Sequence, residues 1–292
     1  ICLVDNNPSQ KNFNKYKKIK DIEFMYLDNV GFGGACNLAA RKIKNKVDAY
    51  LFLNPDTTLS ENCLDKFHKL DRDYQAYMGL LLTKDGLINN DGTNVHVSGM
   101  SWCGNLDKKS NYSKGVSRIN YASGASLFIW KDIFFEVGGF NDIYFLYYED
   151  TDLSSKLILS GYKVGLLRDG IIYHDYTYSI SKIKYYYLQR NRIIYQLINW
   201  PLILLTLLLP VNLIIELSLF VHSIFYRRFK LKIKSYIDIV NNYRKIYEAR
   251  RHTISITKIN PFEVYKTLDV RIDSPLMKNG IILKILDFII YN

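Results

Sequence analysis

Cysteine is scarce and scattered in this chain. Cys2, Cys36, Cys63 and Cys103 form no C-x-x-C pair and have no histidine at zinc-ligand spacing. That argues against a disulfide scaffold or a zinc module and suits reduced thiols in the cytosol. Proline is held to 6 residues and glycine to 16, while 48% of the side chains are apolar and 23% charged. A disordered, collagen-like or low-complexity chain is thereby excluded. Acidic residues are the minority charge, 28 against 39 Lys and Arg, leaving +11. The balance favours an anionic partner: nucleic acid, nucleotide phosphates or an acidic membrane face. No internal repeat is visible, and 292 residues suit a catalytic core with an appendage.

What is present begins with a βαβ rhythm. Short apolar runs at Ile1 to Val4, Ile22 to Leu27 and Ala49 to Leu53 each end on polar residues: Asp5, Asp28-Asn29 and Asn54-Pro55-Asp56. In an open α/β sheet, ligands sit outside the carboxyl ends of the strands, so these tips are the first candidates for a site. Gly31-Phe32-Gly33-Gly34 leads into a helical stretch, which reads either as an anion cradle at a helix start or as a plain loop. It is not the dinucleotide fingerprint, because Cys36 stands where the third glycine belongs. Further on, a helix is expected near Ser60 to Leu70 and strands at Tyr77 to Leu82 and Ser126 to Trp130. The stretch from Lys84 to Tyr121 reads as a long loop.

The densest chemistry lies in Tyr144-Phe145-Leu146-Tyr147-Tyr148-Glu149-Asp150-Thr151-Asp152. Three carboxylates among aromatics start a helix that Gly161 can end. Capping explains part of the pattern. Aromatic walls and like-charged neighbours would also raise a carboxyl pKa, which suits a general base. His174-Asp175 closes a strand-like run and either serves structure or completes a metal site with Asp56.

Taken in order, Val4-Asp5-Asn6-Asn7-Pro8-Ser9, Asn29 to Asn37, Leu53-Asn54-Pro55-Asp56, Ser123-Gly124-Ala125, Gly138-Gly139-Phe140 and Tyr148 to Leu153 resemble the motifs of family 2 glycosyltransferases. The likeness is to the rhamnosyltransferase-like branch of bacterial surface polysaccharide synthesis. It implies a GT-A-type α/β fold, a mostly parallel sheet flanked by helices, over residues 1–195. Residues 196–292 would form a helical, basic, membrane-associating region. The family normally carries one more strand and a Thr-Tyr-Asn-like turn ahead of Asp5. Part of the nucleotide pocket is therefore expected to lie outside a chain that opens on Ile1.

The resemblance also distributes roles. Asp5, Asn29, Gly33, Asn37, Asn54 and Asp56 would face the nucleotide-sugar donor, and Asp150 would take the proton of the acceptor hydroxyl. Glu149 and Asp152 would lie beside the acceptor. Asp56 and His174 would hold Mg or Mn, although the first position of the family's D-x-D element is Asn54 here. The reaction implied is inverting transfer of rhamnose or a related hexose from a nucleotide diphosphate to a lipid-linked saccharide.

From Pro201 to Val221 the chain is almost wholly apolar, long enough as one helix to span about 31 Å. Against a single crossing stand Pro210, Glu216 and basic residues on both flanks. Two helices broken near Pro210, lying in the interface of an anionic membrane or dipping in and returning, fit better, with a buried soluble pair as the competing reading. The expected location is cytoplasmic, on the inner face of the cell membrane. Arg190 would either meet a diphosphate or belong to a solvated basic helix face, the latter being favoured. Residues from 235 onward carry no assignment. A different class, a non-catalytic basic membrane or nucleic-acid binding protein, draws on 24 tyrosines among lysines, since aromatics stack on bases. The acidic cluster would repel a nucleic-acid backbone, so no nucleic acid is expected. A nucleotidyltransferase would also use a metal-bound Asp56 but has no evident need of Asp150.

Overall fold

The computed structural model describes residues 1–7, 19–110, 113–174 and 181–275. Pro8, Ser9 and Asp175 from the motifs above lie outside the described residues. Strand β1 (Cys2–Asp5) runs parallel to β2 (Glu23–Tyr26), with Asp5 opposite Tyr26. Helix α1 (Gly31–Ile43) follows and leads to β3 (Ala49–Leu53), β4 (Thr57–Leu59), α2 (Cys63–His68) and β5 (Ala76–Leu82). The stretch read as a loop holds four short strands: β6 (Ile88–Asn90), β7 (Thr93–Val95), β8 (Ser101–Cys103) and β9 (Val116–Ile119). Then come β10 (Ser126–Trp130), α3 (Lys131–Glu136), α4 (Glu149–Leu159) and β11 (Val164–His174).

The main sheet has the order β3-β10-β5-β11-β4, with β6 on β5 and β9 on β11. It is mixed rather than mostly parallel: within it only β5 and β11 run parallel, and the other pairs are antiparallel. The physical reason lies in the connection. A parallel return needs a crossover, usually a helix, whereas the segment between β5 and β10 consists of short strands and turns. Because β10 opposes both β3 and β5 while β11 follows β5, the strand ends at Leu53, Leu82 and His174 and the start of β10 gather at one end of the sheet.

β5 is buried at every position, as expected of an apolar strand covered on both faces. Around it, Phe52, Phe134 and Phe140 form an aromatic knot with ring centroids 5.2–5.7 Å apart. Beyond β11 come helices α5 (Lys182–Asn199), α6 (Leu202–Leu207), α7 (Leu209–Phe225), α8 (Phe229–Asn241) and α9 (Tyr243–Ile256). The break in the apolar run falls at Leu208, and Pro210 sits in the first turn of α7, where its missing N–H costs nothing. A boundary at residue 195 falls inside α5. Tyr144 and Leu159 share a second core with Ile194, Trp200 and Ile246, so the helices are packed onto the sheet domain.

Strand β11 carries a bulge between Leu167 and Ile171 where it pairs with β5. Gly79 makes the bulge possible: a Cβ there would stand 2.7 Å from the Gly170 carbonyl and 2.7 Å from Ser126 Oγ. Gly79→Ala is expected to lower the unfolding free energy by about 1–3 kcal/mol through overpacking, measured by urea denaturation.

Candidate active site

At the tip of β1, Asp5 accepts a hydrogen bond from its own turn, at Asn7 N, 2.9 Å. Its neighbour Asn6, to which the sequence reading gave no role, ties β1 to the start of α1. Its amide donates to Asn29 Oδ1 and the Gly31 carbonyl, and its oxygen accepts from Val30 N. The four-residue glycine motif belongs to the first turn of α1 rather than to a preceding loop. A Cβ on Gly31 would lie 2.2 Å from the Phe145 carbonyl, and one on Gly33 would lie 2.9 Å from Phe140 Cβ. These glycines let α1 press against the segment that carries the acidic cluster. Gly33 therefore serves the packing of α1 here. Asn37 is likewise engaged: buried, it donates to the Phe140 carbonyl and Asp142 Oδ1 and accepts from Phe140 N. Both of its amide donors are thereby taken within the fold.

Asp56 and His174 do meet. The antiparallel pairing of β4 with β11 sets His174 opposite Thr57, and His174 Nε2 lies 3.4 Å from Asp56 Oδ1. On the ring's other side, Nδ1 is 3.0 Å from Asn89 Oδ1, a partner from β6 that the loop reading of this stretch hid. With one ring nitrogen held by Asn89, the other faces an exposed carboxylate, an arrangement compatible with an imidazole oriented by a hydrogen bond to ligate a metal. No group of three or more His, Cys, Asp or Glu able to hold a metal occurs among the described residues. The pair fits the way Mg²⁺ is held by one or two protein ligands, with substrate phosphates and water completing the shell.

The three clustered carboxylates have three different environments. Asp150 is half-buried in the first turn of α4, where its Oδ2 accepts from Gly124 N at 2.9 Å and its Oδ1 from Thr151 N at 2.7 Å and Thr151 Oγ1 at 3.3 Å. Burial pushes its carboxyl above the usual aspartate range, against the pull of those hydrogen bonds. Glu149 points the other way. Its Cβ lies 3.5 Å from where a Gly33 side chain would begin, and Oε2 is buried without a hydrogen-bond partner. Desolvation, then the neighbouring Asp150 charge, pushes its carboxyl up to about 8. Asp152 is fully buried, accepting from Asn199 Nδ2 at 2.7 Å and Tyr144 Oη at 3.3 Å, with Lys156 Nζ 3.3 Å away. Neither Glu149 nor Asp152 is available to an acceptor. Both expectations are corrected: one side chain is packed against α1, the other anchors α5.

Two residues ahead of this helix carry backbone strain. Tyr147 and Tyr148 have φ of 69° and 74°, a left-handed conformation that costs a bulky side chain about 1–2 kcal/mol per residue. Asn191 of α5 holds the turn by donating to the Leu146 carbonyl at 2.9 Å and the Tyr147 carbonyl at 2.8 Å, and Tyr148 Oη donates to the Gly99 carbonyl. Arg190 is buried, donating to the Ile143 carbonyl and to Asp238. It is neither solvated nor directed at a ligand, which corrects both readings of it. Only polarity inside an amphipathic helix hinted at this role for Asn191.

One loop joins the two halves of the site. Gly124 N donates to Asp150, while the Ala125 carbonyl accepts from Asn54 N at the tip that leads to Asp56. Ser154, one helical turn beyond Asp150, accepts from Ala122 N in the same loop.

No family model matches the chain. The hexosyltransferase Agl10 of low-salt glycan biosynthesis from Haloferax volcanii is 21% identical over 172 residues, which is 56% of this chain and 55% of Agl10. The rhamnosyltransferase WbbL of Escherichia coli (strain K12) is 29% identical over 151 residues, 46% of this chain and 56% of WbbL. The chain is thus similar to glycosyltransferases of glycan synthesis, as its resemblance to the rhamnosyltransferase-like branch of family 2 leads one to expect. It spans a little over half the length of these curated relatives. For the fold, the crystal structure of GalNAc-T7 with UDP, GalNAc and Mn2+ superposes with a TM-score of 0.54 at 14% identity, covering 69% of this chain and 42% of that one. The chain thus has a GT-A-type mixed α/β architecture.

Two outcomes follow for the acidic turn. Asn191→Ala leaves two buried carbonyls unpaired and is expected to lower the unfolding free energy by about 1–3 kcal/mol in urea titrations. Glu149 carries a raised carboxyl, so its contribution to stability is complete below its unfolded value of 4.5 and is lost as pH rises through about 8. Between pH 5 and pH 9, Glu149→Gln is therefore expected to lose less stability than the parent, by on the order of a few kcal/mol, in paired denaturation curves.

Proposed function

We propose that the protein is an inverting, divalent-metal-dependent hexosyltransferase. It moves rhamnose or a related hexose from a nucleotide diphosphate donor to a lipid-linked glycan in cell-surface polysaccharide synthesis, at the inner face of the cell membrane. The observation that carries this reading is the loop Ser123-Gly124-Ala125, which bonds Asp150 on one side and the Asn54 tip on the other. A base and an anion-facing carboxylate are thereby held at one end of the sheet. The names of the two curated relatives, a hexosyltransferase of glycan biosynthesis and a rhamnosyltransferase, support the sugar class.

A sugar hydroxyl is a poor nucleophile at neutral pH, so its proton must be taken as the new bond forms. A carboxylate has about four lone-pair positions, and Asp150 uses three, two of them on Oδ1. The remaining position on Oδ2 accepts the acceptor's proton. As the oxygen–carbon bond to the anomeric centre forms, the bond from that carbon to the diphosphate breaks from the opposite face, which inverts the centre without an enzyme nucleophile. Asp56 and His174 would hold the divalent ion, which offsets charge on the departing diphosphate. Asp5 and Asn29, at the tips of the parallel pair, stand on the donor side.

Nucleotide release from dTDP-rhamnose and UDP-hexoses, with Mg²⁺ or Mn²⁺ and a lipid-linked acceptor, tests this. Asp150→Asn is expected to lower kcat by about 10²–10⁴-fold. The acid limb of the parent's kcat/KM profile is expected above the ordinary aspartate range, because the base is active only when ionised and its pKa is raised by burial. Absence of turnover with every donor, together with steeply salt-dependent oligonucleotide binding, would show the non-catalytic alternative to be correct.

A further inference from the structure

Helix α7 has two unlike faces. Ile215, Leu219 and Ser223, four residues apart, are buried. On the opposite face Leu213, Ile214, Leu217, Val221, Ile224 and Phe225 are exposed, Leu217 to 65% and Phe225 to 78%. Helix α6 extends this surface with Leu202, Ile203 and Leu207. An apolar face of this extent, with no charge in it, is a surface for something apolar.

The orientation is enforced from below. Glu216, beside the buried stripe, takes hydrogen bonds from Arg192 of α5 and Tyr236 of α8 and pairs with Lys232 of α8. Desolvation would raise its carboxyl, but the two cations outweigh it and hold it below the usual range. The side chains of Arg192 and Lys232 are buried, at 3% and 0% exposure. Rolling α7 to hide its leucines would strand two buried cations without a counter-charge, which is strongly unfavourable. The apolar face is thus kept outward by a buried ion cluster.

Two features select the occupant. No helix among the described residues is long and apolar enough to cross a membrane, and just beyond the end of α7 the exposed cations Arg227, in the turn, and Lys230, in the first turn of α8, stand at the rim of the apolar face. A helix apolar on one face with cations at its edge lies in the plane of an anionic bilayer surface. A second copy bound through the same face would bring two basic rims of a +11 chain together.

We infer that the exposed face of α6 and α7 docks the protein on an anionic lipid bilayer, embedded at the boundary between headgroups and acyl chains and not spanning it. The surface is argued from α6 and α7 alone. That it presents Asp150 to a lipid-borne acceptor rests on the function proposed above. Consecutive residues of α5 carry that link: Asn191 holds the turn before Asp150 and Arg192 holds Glu216.

Sedimentation of the full chain with vesicles of phosphatidylglycerol and phosphatidylcholine, against phosphatidylcholine alone, tests the inference. Binding is expected to be at least about tenfold stronger to the anionic vesicles and weaker in 1 M salt. Leu217→Glu with Phe225→Glu is expected to cut it at least about tenfold, with thermal unfolding unchanged. Arg227→Gln with Lys230→Gln is expected to remove most of the anionic preference. Failure of the parent to bind, or undiminished binding by the double Glu variant, overturns the inference. So does a discrete dimer that the Glu variant dissociates while the parent ignores vesicles. Lipid-free donor hydrolysis on the same preparations reports on the catalytic reading separately, so either proposal can fail alone.

Discussion

The site depends on holding Tyr147 and Tyr148 in a left-handed turn that neither side chain favours. Released from α5, that turn would relax and loosen the first turn of α4, and with it the bond between Asp150 and Gly124. The bond from Asn191 to two successive carbonyls is therefore a geometric constraint as much as a stabilising contact. Strain of this kind persists where the surroundings over-determine it. Here the surroundings are Asn191, the Tyr148 hydroxyl on Gly99, and the α1 glycines packed against Phe140 and Phe145.

Within four residues the same chemical group serves three purposes. Asp152 sits among Lys156, Asn199 and Tyr144 and ties α4 to α5. Glu149 lacks a partner for Oε2 and is held near pH 8 by desolvation and its neighbour. Asp150 alone combines backbone donors with an open lone pair. Environment separates them, which is the general way in which one carboxyl type covers structural and chemical roles.

The helical region extends this frame and is no loose appendage. Two of its tyrosines act as linkers within the frame. Tyr195 shares a hydrogen bond with Ser155 of α4, and Tyr186 donates to Asp238. Arg190, Asn191 and Arg192 leave α5 in different directions, so one helix sets both the acidic turn and the outward face of α7.

Periodicity and residue order were enough to read the βαβ start, the buried strand β5, the acidic helix start and the break of the apolar run near Pro210. Each is a local pattern or an ordered series of motifs, and such information survives in one dimension. The direction of β10, the single bulged β11, the roles of Asn6, Asn89 and Asn191, and the retreat of Gly33, Asn37, Glu149 and Asp152 into packing were decided only in three dimensions. In a helix, adjacent residues such as Glu149 and Asp150 point about 100° apart. Whether a carboxylate meets a neighbouring helix, a buried lysine or an open cavity is settled by what packs on each side, and no single-residue pattern records it.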